Sequence, residues 1–134
     1  MSATILIVED DEEESTILIE CFKENNYHKV TSFDNAFTFI NYLRNKDTLL
    51  PKVVILDYNM PQISGFQLLA FLKHNDAFAS IQVLIYSGFN NDDLQIRCLK
   101  AGALDFIKKF SSPHELSEFV VKVKALAESG VYVK

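Results

Sequence analysis

Five polar residues stand directly after, or close, apolar β-branched runs. Glu9 and Asp10 follow TILIV, Asp57 closes VVILD, Ser87 follows IQVLIY, and Lys109 follows LDFIK. Carboxylates gathered at one place repel one another by about 4 kcal/mol per pair at 4 Å and an effective dielectric near 20. Three of them together therefore invite a cation. Oxygen-only ligation points to Mg²⁺, with Mn²⁺ as the alternative, and a hard ion held through carboxylates and water keeps positions open for phosphate oxygens. Lys109 adds a second positive charge and Ser87 a hydroxyl donor. A carboxylate nucleophile, a metal and two groups that recognise a phosphoryl oxygen together describe phosphoryl transfer to Asp57.

Such convergence needs a scaffold. The runs 4–8, 29–33, 53–56, 81–86 and 104–107 are predicted strands. Between them, apolar residues recur at helical spacing: Ile17, Leu18, Cys21 and Phe22; Ala36, Phe37, Phe39, Ile40 and Leu43; Leu68, Leu69 and Leu72; Leu94, Cys98 and Ala101; Leu116, Phe119, Val120 and Val123. Five helices are predicted, each with one apolar stripe. Ser64 with Gln67 and Ser112 with Glu115 fit capping boxes, and Pro113 suits a first helical turn. Strict alternation of nearly continuous apolar strands with helices implies an α/β fold, a doubly wound five-stranded parallel sheet with right-handed crossovers. Ligands in such sheets bind beyond the carboxyl ends of the strands. Convergence of strands one, three, four and five pushes the polar second strand to an edge and predicts the order 2-1-3-4-5. Ser32, Phe33 and Asp34 then read as the approach to a helix.

At 134 residues, the chain is expected to be one domain spanning 1–134, with its core at about 3–128. Thirteen basic against eighteen acidic residues give a net charge of −5 with no basic block, which argues against direct nucleic-acid binding. No apolar run approaches the roughly 20 residues that span a bilayer, and a cytoplasmic protein without membrane contact is expected. Cys21 and Cys98 sit inside helical patterns and read as buried apolar residues. His28, His74 and His114 lie in separate segments without metal-ligand spacing. Glu12, Glu13 and Glu14 read as solvent-exposed acids favoured by the helix dipole. Asp11 is less defined, since it directly follows the acidic pair.

The combination ILIVEDD, ILDYNMPQISG, VLIYSG and GALDFIKKF resembles the receiver domain of two-component response regulators, of the single-domain chemotaxis-regulator type, over residues 3 to 128. The resemblance implies a flavodoxin-like fold, Mg²⁺ held by Glu9 and Asp10 with Asp57 and the Asn59 backbone carbonyl, and Asp57 as phosphoacceptor. It implies phosphoryl supply by a partner histidine kinase, a phosphotransfer protein or a small phosphodonor. Ser87 becomes the switch hydroxyl, Lys109 the phosphate-pairing lysine, and Phe106 an aromatic whose rotamer follows Ser87. Asn59 and Phe89 occupy positions that tune hydrolysis of the phosphoryl group. A downstream protein is expected on the fourth helix, fifth strand and fifth helix, residues 90 to 128, and a homodimer stays open. The family usually has proline after the lysine; Phe110 stands here, so a trans Lys109–Phe110 peptide is expected.

Little chain follows the last helix, so action by protein contact or as a phosphorelay intermediate is expected rather than through an output domain. Turnover of external substrates is not. Two other readings remain. A haloacid dehalogenase-type phosphatase shares an aspartyl nucleophile, Mg²⁺ and a lysine, yet has a second aspartate where Asn59 stands. A receiver-like module binding partners independently of phosphate is kept open by Phe89 and Phe110.

Overall fold

The computed structural model describes residues 4–89 and 91–134. Five strands alternate with five helices: β1 (Ile5–Val8), α1 (Glu12–Glu24), β2 (Val30–Phe33), α2 (Ala36–Arg44), β3 (Val53–Asp57), α3 (Gly65–His74), β4 (Gln82–Ser87), α4 (Asp92–Lys100), β5 (Asp105–Lys108) and α5 (Pro113–Ser129). All strand pairs are parallel, in the order β2-β1-β3-β4-β5. This is the expected flavodoxin-like arrangement. The element boundaries differ from the sequence reading by a residue or so. The expected core start at residue 3, and Asn90 at the head of the expected 90–128 face, lie outside the described residues.

Strand residues alternate between faces with period two, and the two cores follow that alternation. Leu6, Val8, Val54, Leu56, Val83 and Ile85 pack beneath α2, α3 and α4. Ile5, Ile7, Val53, Ile55, Leu84 and Tyr86 pack beneath α1 and α5. The inner strands β1 and β3 are buried along their whole length, whereas β2 is partly exposed, as an edge strand should be. Cys21 and Cys98 are buried, one in each core. Phe37 departs from the predicted α2 stripe: Ala36, Phe39 and Leu43 are buried, and Phe37 is turned to solvent.

Helix starts are fixed by side chains that accept otherwise unpaired backbone N–H groups. Asp11 caps α1 by accepting from Glu13 and Glu14. Ser64 and Gln67 form the full reciprocal box on α3. Ser112 accepts from Glu115 N–H on α5, with Pro113 in its first turn. At the other end of α5, Gly130 takes a left-handed conformation (φ 76°) and turns the tail back, where the Tyr132 hydroxyl donates to Asp105 Oδ2 at 2.8 Å.

Candidate functional site

The carboxyl ends of β1, β3, β4 and β5 bring the predicted residues together. Asp57 is the last residue of β3 and Ser87 the last of β4, while Glu9 and Lys109 each follow a strand end directly. The ladder continues past the strands: Glu9 N–H donates to Phe33 O at 3.0 Å, and Lys109 N–H donates to Ser87 O at 2.7 Å. Lys109 is thereby pinned at the backbone, and Lys108 is exposed on β5. The Lys109–Phe110 peptide is trans, and the Phe110 ring packs against Tyr86 and Phe119.

Carboxylate oxygens of Glu9, Asp10 and Asp57 all lie within 4.8 Å of one another. Oxygens on opposite sides of a Mg²⁺ ion at about 2.1 Å stand about 4.2 Å apart, so this donor set fits a hard divalent ion with small side-chain adjustment. Glu9 and Asp57 are buried and Asp10 is exposed, so the cluster is open on one side. Lys109 Nζ lies 2.8 Å from Glu9 Oε1, 3.4 Å from Asp57 Oδ1 and 2.5 Å from Glu14 Oε2. One ammonium thus faces three carboxylates, which leaves the site anionic. Desolvation by burial, joined by hydrogen bonding to Asp57 and Glu14, lifts the Glu9 carboxyl to about 9. Burial works against the Lys109 charge, but the Glu14 and Glu9 carboxylates outweigh it and raise its pKa. For Glu14, burial is outweighed by bonds to Glu9 and Lys109, and its pKa is lowered.

The β3–α3 connection is unusually tight at Gly65. Its N–H donates to Tyr58 O at 2.8 Å, and a Cβ there would lie 2.7 Å from Tyr58 Cα and 2.8 Å from Asp57 O. Only glycine lets the start of α3 approach the end of β3 this closely. Asn59, exposed, donates its N–H to Asp57 Oδ1 at 3.3 Å. On the other flank, fully buried Ser87 accepts at Oγ from Phe89 N–H at 3.0 Å, and the Phe89 side chain is exposed. Phe106 is buried opposite Ile85, in the core beneath α4.

One part of the sequence reading needs correction. Glu12 and Glu13 are exposed first-turn acids, but Glu14 is not merely one of them: it forms the shortest ion pair of the site. Glu14 stands four residues before Leu18 and seven before Cys21, so it continues the buried stripe of α1 upward to the strand ends. That register was legible in the sequence. Ser32 and Asp34 do more than approach α2, whose cap is Asn35; they line an acidic cleft of about 350 Å³ together with Glu9, Asp10 and Glu12. Asp11 is used as the α1 cap.

The family model for the response regulator receiver domain matches residues 5–121. The chain belongs to that family. Among curated relatives, the transcriptional regulatory protein PrrA of Mycobacterium leprae is 30% identical over 125 residues, 93% of this chain, and the chain spans 50% of that relative's length. Among solved structures, the phosphorylated cyanobacterial phytochrome response regulator RcpA superposes with a TM-score of 0.85 at 21% identity, covering 98% of this chain and 97% of that one. The Mn²⁺-bound response regulator Rcp1 gives 0.82 at 21% identity, covering 97% of each. At these identities the two structures establish the fold. Receiver domains are signalling modules of two-component systems. Among the described residues no helix is long and apolar enough to cross a membrane.

Proposed function

We propose that this chain, acting over residues 1–134 as one receiver module in the cytoplasm, is a phosphoacceptor switch with Asp57 as the acceptor. The observation that carries the reading is a buried carboxylate at a parallel sheet's carboxyl edge, with an ammonium at 3.4 Å and two further carboxylates within 4.8 Å. An Asp57 carboxylate oxygen forms the new P–O bond. The donor's P–N bond in a phosphohistidine, or P–O bond in acetyl phosphate, breaks, and the electron pair leaves with the donor nitrogen or oxygen. Glu9, Asp10, Asp57 and the Asn59 carbonyl would hold Mg²⁺, or Mn²⁺ as in Rcp1. A divalent ion bound there supplies charge neutralisation to the phosphoryl oxygens.

Lys109, whose ammonium lies 3.4 Å from Asp57 Oδ1, supplies a positive charge that can pair with the transferred group. Ser87 can accept from Phe89 N–H while its own O–H donates to a phosphoryl oxygen. Its movement toward Asp57 loosens the Phe89 turn and opens space beside Phe106, which shifts the population of the α4, β5 and α5 face that a downstream protein reads. Exposed Phe89 and Asn59 set the access of water to the phosphoryl group.

The test is intact mass after incubation with acetyl phosphate, with and without Mg²⁺, for the wild type and Asp57→Asn. A metal-dependent gain of one phosphoryl group that disappears in Asp57→Asn is expected. An unmodified wild-type chain, also with a phosphohistidine donor, would refute the switch and favour a phosphate-independent binding module.

A further inference from the structure

Lys109 has two kinds of carboxylate partner. Glu9 and Asp57 belong to the acidic cluster, whereas Glu14 comes from α1 and lies outside the set that brackets a cation. The Glu14 contact is nevertheless the shortest, 2.5 Å against 2.8 Å to Glu9 and 3.4 Å to Asp57. Glu14 is half-buried on the continuation of the stripe formed by Leu18 and Cys21, and the Asp11 cap fixes the helix turn from which it extends. Charge-assisted bonds of this length are strong and directional. An ammonium has three N–H donors, and here three carboxylates face them, so the share committed to Glu14 is not free for a phosphoryl group on Asp57.

We propose that Glu14 is a positioning residue for Lys109, a clamp that holds the lysine in the unphosphorylated state and must release it for the Asp57 phosphoryl group to be paired. The proposal rests on the phosphoacceptor reading of Asp57. Phosphorylation exchanges one charge-assisted partner of Lys109 for another, so Glu14 sets how readily the site is loaded. Removing the contact speeds loading, because the ammonium no longer has to leave a carboxylate to meet the incoming phosphoryl oxygens. Glu13, an exposed acid in the same first turn with the same relation to the helix dipole, has no such role.

Two readouts test this on the full chain. In metal-free buffer, brief labelling with acetic anhydride is followed by peptide mass, with exposed Lys122 as internal reference. Glu14→Gln and Glu14→Asp, the latter too short to keep the contact, are both expected to raise Lys109 labelling about threefold, within the range of a partly exposed ion pair, while Glu13→Gln leaves it unchanged. With Mg²⁺ and acetyl phosphate, Glu14→Gln is expected to raise the initial rate of Asp57 phosphorylation by a similar factor. Unaltered Lys109 labelling in both Glu14 variants overturns the clamp, and so does a rise in Glu14→Gln alone, which would assign the effect to charge rather than contact. Raised labelling with an unchanged phosphorylation rate overturns the link to loading. A wild-type chain that takes up no phosphoryl group refutes the phosphoacceptor reading instead, and the labelling result still judges whether Glu14 holds Lys109.

Discussion

Replacing Gly65 by alanine tests how the site is built, independently of what it does. The added Cβ would stand 2.7 Å from Tyr58 Cα and 2.8 Å from Asp57 O, well inside the 3.4 Å at which ordinary contact begins. Both neighbours are backbone, so neither can swing aside as a side chain would. Overpacking of this kind costs about 1–3 kcal/mol, and two backbone contacts place Gly65→Ala near the upper end. Stretching the Gly65 N–H to Tyr58 O bond adds about 1 kcal/mol, and the better helix propensity of alanine returns less than about 1 kcal/mol. The net loss is about 2–3 kcal/mol, which lowers the melting temperature of a domain this size by roughly 10 °C. Urea unfolding followed by far-UV circular dichroism should show a midpoint lower by about 1–2 M with the slope unchanged. Gly88→Ala is the control: among the described residues a Cβ there meets nothing within 4 Å, and its stability should stay within about 0.5 kcal/mol of wild type. A Gly65→Ala midpoint equal to or above the wild type would refute the close-approach argument.

Other outcomes follow from the site and its surroundings. Glu9, raised from an ordinary 4.5 to about 9, binds a proton more tightly in the folded chain, so its contribution to metal-free stability is fully present below about 4.5 and is lost as pH rises toward 9. Lys109, raised as well, keeps its contribution throughout that window. A divalent ion needs the Glu9 carboxylate, so the gain in melting temperature from about 10 mM Mg²⁺ should be larger at pH 9 than at pH 6; a gain independent of pH would contradict it. Phe89→Glu should shorten the half-life of phosphorylated Asp57 by admitting water, measured by the decay of the phosphoryl mass; an equal or longer half-life would count against shielding by Phe89. Tyr132→Phe removes the hydroxyl that donates to Asp105 and should cost about 1 kcal/mol in urea unfolding, with an unaltered midpoint showing that the tail adds no stability there.

Much of the architecture was legible because inner parallel strands leave an unambiguous pattern. Both faces of β1 and β3 are covered, so their residues are apolar without interruption, and the single carboxylate closing VVILD stands out. The edge position of β2 followed from its polar residues. Individual orientations were harder. Phe37 fits the apolar composition of α2 but not its buried register, because composition over nine residues does not resolve about 100° of rotation per residue. Glu14 was hidden by its neighbours: three consecutive glutamates satisfy the helix-dipole explanation equally, and only the register with Leu18 and Cys21 separates the one that reaches Lys109 from the two in solvent. Ser32 and Asp34 were obscured because short polar residues after a strand suit both a helix approach and the lip of a cleft.

The aromatic packing beneath Lys109 has an optical consequence. The chain has five tyrosines and no tryptophan, so its near-ultraviolet emission is tyrosine emission. One of those rings, buried Tyr86, has its centre 5.7 Å from the Lys109 ammonium and lies stacked at 5.7 Å and 3° on Phe119. A cation over an aromatic face perturbs its electron density, and withdrawing that cation reverses the perturbation. Tyr86 is therefore a reporter native to the fold, positioned to register where Lys109 sits without any introduced label.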